Sequence, residues 1–238
     1  MCGRYNLAGL TWKELWLLMS GGEPPPGWDE GRDVQAIPQR FNTAPTQAVP
    51  LVRIVRQGDG DMAPAMARWG LIPRWFRKPV KEWKANTINA RIETVAEAPS
   101  YREAYVGGRC IVPMAGYYEW ASLSDDPKQP FYIQPKGNTP ALLVCGLWSE
   151  ANLPDFSGLT CAILTEPARD DLARIHDRQP VIVDPEGARA WLTGTPIEAV
   201  PRLPNDRLML HKVGKRVNNW RAEDPGLIVP EETDEAPV

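Results

Sequence analysis

The sequence lacks the features that mark several common classes of protein. No run of about 18 apolar residues occurs, so no transmembrane helix is expected. The N-terminal segment lacks the basic start and apolar stretch of a signal peptide, which favours a cytoplasmic protein. Neither GxGxxG nor GxxxxGKS/T is present, and there is no Cys-x-x-Cys pair and no Cys/His cluster. We therefore expect no membrane partner, no metal and no organic cofactor.

The chain has four cysteines, and one of them differs in its surroundings. Cys110, Cys145 and Cys161 lie inside apolar runs typical of strands, so we expect them to be buried free thiols. Cys2 differs because it lies in a polar, glycine-flanked terminus outside any apolar run. A cysteine at this position is either incidental or chemically used.

Charge is spread unevenly along the chain. The net charge of −3 argues against indiscriminate binding of nucleic acid. Residues 222–238 contain acidic residues and no Lys or Arg, contributing −6, so residues 1–221 carry +3. The sequence thus predicts one domain over residues 1–221 and an acidic, partly disordered tail over residues 222–238.

Between Arg68 and Arg91 the sequence interleaves cations with aromatic residues. Glu82 is the one acidic residue in this stretch, and the tryptophans are Trp69, Trp75 and Trp83, with Phe76 beside them. Cations mixed with aromatics suit a phosphate backbone and unstacked bases. The alternative is a solvated basic loop with some tryptophans in the core.

The apolar patterns predict many short strands and few helices. A helix capped by Thr11 is expected over residues 11–19, others near 93–105 and from Pro167 to Ile175, and one from Pro185 to Leu192 with Asp184 as N-cap. Strands are expected at 2–6, 49–56, 62–69, 109–113, 116–121, 130–135, 140–147 and 159–165, with a final pair over 208–218. A QGDGD turn should join the second and third, and residues 20–40 read as an irregular excursion. The fold class is α+β, a single domain with mainly antiparallel strands.

Cys2 has a chemistry that depends on its position. A small residue after Met1 permits removal of the methionine, which leaves Cys2 with a free α-amine and a thiol. The α-amine has a pKa of about 8, so a substantial fraction of these amines is unprotonated and nucleophilic at neutral pH. The amine condenses with an aldehyde to a Schiff base, and the thiol then closes a five-membered thiazolidine. Such an aminothiol matches the ring-opened sugar of an abasic site.

Three further segments contain candidate site residues. His176 lies between a predicted helix and an apolar strand and can move a proton near neutral pH, although a structural histidine or an ion pair with a neighbour is equally consistent. Strand alternation places Tyr117 and Glu119 on one face, so Glu119 should have a raised pKa if buried, whereas an exposed strand glutamate is the alternative. Asn89 and Arg91 can fix a sugar and a phosphate, although such residues are common in loops.

The chain resembles the SOS-response-associated peptidase (SRAP) family, also called abasic-site processing proteins. The matching segments occur in the family's order and span nearly the whole chain. They are MCGRY at 1–5, FNTAP at 41–45, RWGLIPRW at 68–75, NARIET at 89–94, GRCIVPMAGYYEW at 108–120, QPFYI at 129–133, CGLW at 145–148 and IHDRQPVIV at 175–183. The resemblance implies a barrel-like core of mainly antiparallel strands.

The resemblance also implies roles for particular residues. Cys2 is the nucleophile that forms a thiazolidine crosslink, His176 assists sugar ring opening, Glu119 shuttles protons, and Asn89 holds the Cys2 terminus or the sugar. The positions implied near the DNA are Arg4, Arg91 and Arg178 at phosphates, and Asn42, Pro45, Trp75, Phe76 and Trp120 along the groove. Thr165, at the edge of the site, starts a TEPAR segment that departs from the family pattern.

The implied function is covalent capture of abasic sites in single-stranded DNA by Cys2, after autoproteolytic or aminopeptidase removal of Met1. Thiol autopeptidase activity and AP-lyase activity are further expectations. The protein is expected to be a monomer in the cytoplasm, associated with the nucleoid when bound to DNA. Two alternatives remain open: a cysteine peptidase acting on other proteins, and a non-covalent single-stranded DNA binding module.

Overall fold

The structure of the protein is a computed structural model. It describes residues 2–22, 35–55, 62–121 and 128–231. The predicted QGDGD turn, most of the 20–40 excursion and the end of the acidic tail lie outside the described residues. The α-helices are α1 (Trp12–Ser20), α2 (Arg102–Gly107) and α3 (Pro185–Leu192). The strands are β1 (Arg4–Asn6), β2 (Ala48–Ile54), β3 (Met62–Trp69), β4 (Asn89–Arg91), β5 (Arg109–Met114), β6 (Gly116–Ala121), β7 (Gln129–Pro135), β8 (Leu142–Leu153), β9 (Phe156–Pro167), β10 (Arg178–Pro180), β11 (Ile182–Val183) and β12 (Leu208–Lys212).

Five strands close into a barrel. The order β9-β3-β2-β5-β8 is completed by pairing of β8 with β9, and every pair is antiparallel except β3 with β9. The predicted α+β class, with one domain, a barrel-like core and few short helices, is confirmed. Closure removes unpaired sheet edges, and the interior is filled by apolar side chains from alternate positions. Cys110, Cys145 and Cys161 are fully buried as free thiols, as predicted.

A second sheet, in the order β1-β6-β7-β12, positions the N-terminus. Register along β1 and β6 pairs Arg4 with Tyr118 and Asn6 with Gly116. Gly116 is required because a side chain there would meet the ring of Tyr132 at 2.4 Å. This pairing fixes Cys2, two residues before Arg4, beside the strand that contains Glu119.

Helix ends follow the predicted capping residues. Thr11 accepts a hydrogen bond from the Glu14 backbone, and the Glu14 side chain accepts one from Thr11 in return, which completes a capping box on α1. Asp184 caps α3 through the backbone N–H of Gly187, with Pro185 at the first position.

Three predicted elements were wrong. The helix near 93–105 is a run of turns followed by α2, because Pro99 lacks the N–H that a continuous helix needs. The helix from Pro167 is instead the end of β9 followed by a 3₁₀ helix, Asp170–Arg174, in which Asp170 has a positive φ of 52°. The strand pair over 208–218 is β12 alone, followed by the 3₁₀ helix Lys215–Asn218.

The hairpin of β8 and β9 is longer than predicted. Its outer half alternates buried and exposed residues as far as Leu153, and the polar residues there conceal the strand in the sequence. The short strands β4, β10 and β11 were also missed, because pairing with β8 or β9 and not local propensity defines them.

Candidate active site

Cys2 lies in the interior, although the residues that flank it in the sequence form no apolar run. Its side chain is fully buried and belongs to the main hydrophobic cluster, because β1 pairs with β6 and brings the terminus against the barrel. Burial raises the pKa of the Cys2 thiol, and the nearby Glu119 carboxylate raises it further. In the chain that still contains Met1, the Cys2 thiol is therefore protonated at neutral pH, and it needs a base before it can act as a nucleophile.

Asn89 holds the N-terminal segment from β4. Its side-chain amide donates a hydrogen bond of 2.8 Å to the Cys2 carbonyl oxygen. Among the residues that the structure describes, its buried Oδ1 atom has no hydrogen-bond partner. The Tyr101 hydroxyl, which sequence reasoning missed, donates to the Asn89 backbone carbonyl at 2.9 Å. Asn89 thus fixes the Cys2 peptide and has an acceptor left for an added donor.

Glu119 is buried on β6, so the exposed alternative is excluded. Glu119 is 5% exposed, and this burial raises the pKa of its carboxyl group. The nearby charge of His176 acts to lower the same pKa. Strand alternation directs Tyr117 to the same side of the sheet, where burial, together with the nearby Cys2 and Glu119, raises the pKa of its hydroxyl. Tyr118 and Trp120 pack in a cluster on the opposite side. The predicted arrangement of this strand is confirmed.

His176 lies just after the 3₁₀ helix Asp170–Arg174. Its Nδ1 atom lies 3.0 Å from the Arg178 backbone nitrogen and 2.8 Å from the Asp177 carboxylate. These contacts compete, because the Arg178 N–H needs the Nδ1 lone pair and the carboxylate needs a proton there. Since the Asp177 side chain is 80% exposed and the Arg178 N–H is fixed in the backbone, we assign the Nδ1 lone pair to the Arg178 N–H and the ring proton to Nε2.

An ion pair between buried Arg178 and partly exposed Glu93 fixes the segment that contains His176. The Arg178 side chain is 9% exposed, and its guanidinium binds both carboxylate oxygens of Glu93 and the Thr165 carbonyl oxygen at 2.6 Å. The hydrogen bonds from Arg178 lower the pKa of Glu93. The sequence placed Arg178 at a phosphate, whereas the structure shows it engaged internally. Glu93 was missed because its partner is 85 residues away.

Arg4 and Asn42 connect the site to the C-terminal segment. Arg4 Nη1 donates to Asn42 Oδ1 at 3.0 Å and to the Val217 carbonyl oxygen at 3.1 Å. Asn42 is fully buried, and its amide donates to the carbonyl oxygens of Val217, Asn219 and Ala222.

The family model for SOS response associated peptidase (SRAP) matches residues 1–220. The chain belongs to the SRAP family.

Relatives match most of this SRAP chain in sequence, and a solved structure matches most of it in fold. Abasic site processing protein YoqW of Bacillus subtilis (strain 168) is 33% identical over 195 residues, covering 79% of this chain and 84% of its own. Abasic site processing protein YedK of Escherichia coli (strain K12) is 29% identical over 241 residues, covering 97% and 100%. A crystal structure of a Bacteroides thetaiotaomicron protein matches the fold with a TM-score of 0.73 at 21% identity, covering 97% of this chain and 100% of that one.

The aromatic residues of the predicted SRAP groove divide between surface and core. Trp69 is fully buried and donates to the Ile88 carbonyl oxygen, so it belongs to the barrel. Trp75 is 53% exposed, and its ring contacts those of Phe76 and Trp83 edge-on. Exposed cations lie next to these aromatic residues in the sequence: Arg74, Arg77, Lys78, Lys81 and Lys84.

The remaining candidates lie in different environments. Arg91 is exposed at the end of β4, and Thr165 is buried opposite it in register. Trp120 is half-buried and donates to Asn218 Oδ1 at 2.7 Å, and Pro45 is half-buried. Within the described residues, no cluster of three or more His, Cys, Asp or Glu could hold a metal ion. No helix in that part of the chain is long and apolar enough to cross a membrane.

Proposed function

We propose that this chain processes abasic sites in DNA, and that processed Cys2 captures such a site in single-stranded DNA as a covalent thiazolidine. Family membership and the names of its relatives, which are abasic site processing proteins, support abasic-site processing. The observation that carries the covalent step is the cluster formed by Cys2, Asn89, Glu119 and His176, drawn from four distant parts of the chain. We further propose that it acts as a cytoplasmic monomer.

The reaction balances without an oxidant or a cofactor. The Cys2 amine adds to the C1′ aldehyde of the ring-opened sugar, and water leaves to give a Schiff base. The thiol sulfur then bonds to the imine carbon, and the thiol proton passes to the nitrogen. One aldehyde and one aminothiol therefore give one thiazolidine and one water.

Each neighbouring residue has a role that suits its surroundings. Glu119, with its raised pKa, takes a proton from the thiol or amine and returns it to the leaving oxygen or ring nitrogen. His176 offers Nε2–H to the sugar ring oxygen and so assists ring opening. The buried Oδ1 of Asn89 accepts a hydrogen bond from the Cys2 amine or a sugar hydroxyl. Removal of Met1, which exposes the amine, is the peptidase step we assign to this site, and β-elimination from the Schiff base is its lyase step.

Denaturing electrophoresis with abasic single-stranded DNA tests this function. Protein that starts at Cys2 should give a heat-stable species whose mass equals protein plus DNA minus one water. An identical strand without the abasic site is the control and should give no such species. Absence of the adduct, with noncovalent binding retained, would leave the non-covalent binding module as the function.

Removing the proton-transfer groups should slow the chemical step. Glu119→Gln and His176→Ala are each expected to reduce the crosslinking rate at saturating DNA by about 10²–10⁴-fold, the usual range for positioned acid–base groups. Single-turnover kinetics on gels measure the rate, and anisotropy with undamaged DNA should show an affinity within a few-fold of wild type.

Thermal unfolding separates this effect from loss of structure. Burial raises the pKa of Glu119 in the folded protein above its value in the unfolded chain. The contribution of Glu119 to folding stability is therefore fully present below the unfolded pKa and is lost as pH rises through the folded pKa. Glu119→Gln should thus unfold at an equal or higher temperature at neutral pH. A variant that folds normally and crosslinks at the wild-type rate would return that residue to a structural role.

A further inference from the structure

The C-terminal platform, which we define as residues 215–221, presents an aromatic ring and cations outside the site described above. Trp220 is 50% exposed, and the Arg221 guanidinium carbon lies 5.0 Å from its ring centroid. Lys215, Arg216 and Arg221 are all exposed, and the platform contains no acidic residue. An exposed indole beside a guanidinium is the arrangement on which nucleic acid bases stack.

The platform is held rigidly from below. Val217 is fully buried in a cluster with Tyr118, Tyr132, Val213 and Leu227. As described above, the Val217 and Asn219 carbonyl oxygens accept hydrogen bonds from Asn42. The backbone that positions Trp220 is therefore fixed before any ligand binds, which lowers the entropic cost of binding.

The platform adjoins the catalytic residues on two sides. Arg4, which donates to the Val217 carbonyl oxygen, follows Cys2 by two residues. Trp120, which follows Glu119, donates to Asn218 of the platform at 2.7 Å. A strand held at Cys2 that extends over Trp120 would therefore meet the platform within a few nucleotides.

The two acidic residues that directly follow the platform, Glu223 and Asp224, do not pair with Arg221. Glu223 accepts a hydrogen bond from the Phe41 backbone N–H at 2.8 Å. Asp224 pairs with Arg216 at 2.5 Å and caps the next turn through Gly226. With these carboxylates engaged, Arg221 remains beside the exposed ring as the cation placed to meet a phosphate.

We propose that the C-terminal platform binds a nucleotide flanking the abasic site, with its base stacked on Trp220 and its phosphate against Arg221. This inference rests on the proposed function, because it assumes that single-stranded DNA enters at Cys2. These residues lie beside the acidic tail and outside the basic stretch between Arg68 and Arg91, so local composition does not indicate a nucleic-acid contact there.

The test combines substitution with DNA length. Trp220→Ala should weaken affinity for undamaged single-stranded DNA by about tenfold, which corresponds to the loss of one base stack. Trp220→Phe should restore most of that affinity, because a smaller ring still stacks. Arg221→Gln should weaken binding and reduce its dependence on salt. Val106→Ala and Arg189→Gln, at exposed positions on α2 and α3, are the matched controls and should bind like wild type.

Shortening the oligonucleotide one nucleotide at a time locates the contact. Wild type should lose about tenfold in affinity at one particular length, and Trp220→Ala should show no such step. Equal affinity and an equal length profile for Trp220→Ala and wild type would overturn the inference.

Covalent capture by the same proteins distinguishes this inference from the proposed function. Capture by wild type with no Trp220-dependent step would overturn the platform alone. A Trp220-dependent step without any capture would overturn the covalent function and leave the platform as a single-stranded DNA contact.

Discussion

Replacing Cys2 with serine is expected to abolish the heat-stable adduct with abasic DNA. Serine retains the α-amine and can still form a Schiff base, but its hydroxyl gives at best a labile oxazolidine. The adjacent thiol acts as an intramolecular nucleophile, and such groups reach effective molarities of about 10⁵–10⁸ M, so its loss should reduce stable crosslinking by several orders of magnitude. Heating the reaction before denaturing electrophoresis measures the surviving adduct.

A reductant provides the matching positive control. Borohydride should trap the Schiff base formed by Cys2→Ser and yield a stable species that appears only when the reductant is present. Noncovalent affinity should be unchanged, because the buried thiol contributes no charge to the DNA surface. An adduct from Cys2→Ser that survives heat without reduction would show that the thiazolidine is not the product.

Retention of Met1 is expected to prevent capture altogether. With Met1 in place, the Cys2 nitrogen is an amide that does not attack aldehydes, and the Met1 amine is separated from the thiol by a peptide unit. The five-membered ring therefore cannot close. A leucine inserted between Met1 and Cys2 should retain the methionine, and intact mass should confirm it before the crosslinking reaction is measured.

The control for this prediction restores the terminus on the same protein. A cleavable leader fused directly before Cys2 should give an inactive chain that gains full crosslinking after cleavage. Because the Cys2 carbonyl is held by Asn89, the rest of the site should be unaffected by the leader. Full crosslinking by protein whose mass includes Met1 would contradict the proposed role of the Cys2 amine.

Much of the strand content was predictable, whereas several boundaries were not. The alternation in GYYEW correctly placed Tyr117 and Glu119 on one face of β6, and the capping residues of α1 and α3 were identified from local patterns. The helix expected near 93–105 failed because Pro99 interrupts an otherwise favourable pattern. The short strand β4 has no local signal, since its pairing with β9 involves residues about 75 positions away.

The sequence by itself determined which chemical groups this protein possesses. The position of Cys2 permits an aminothiol, and the motifs around Asn89, Glu119 and His176 indicate the family to which the chain belongs. These conclusions need no coordinates, because they follow from residue type, order and spacing.

The tertiary structure alone decided the environment of those groups. Burial of Cys2 and Glu119 arises when β1 pairs with β6 against the barrel, and this burial raises the pKa of both side chains. Likewise, the buried Arg178 side chain forms an ion pair with Glu93, which is 85 residues away in the chain. The physical reason is that desolvation and ion pairing depend on which surfaces meet in the folded state, and local sequence does not specify contacts between distant segments.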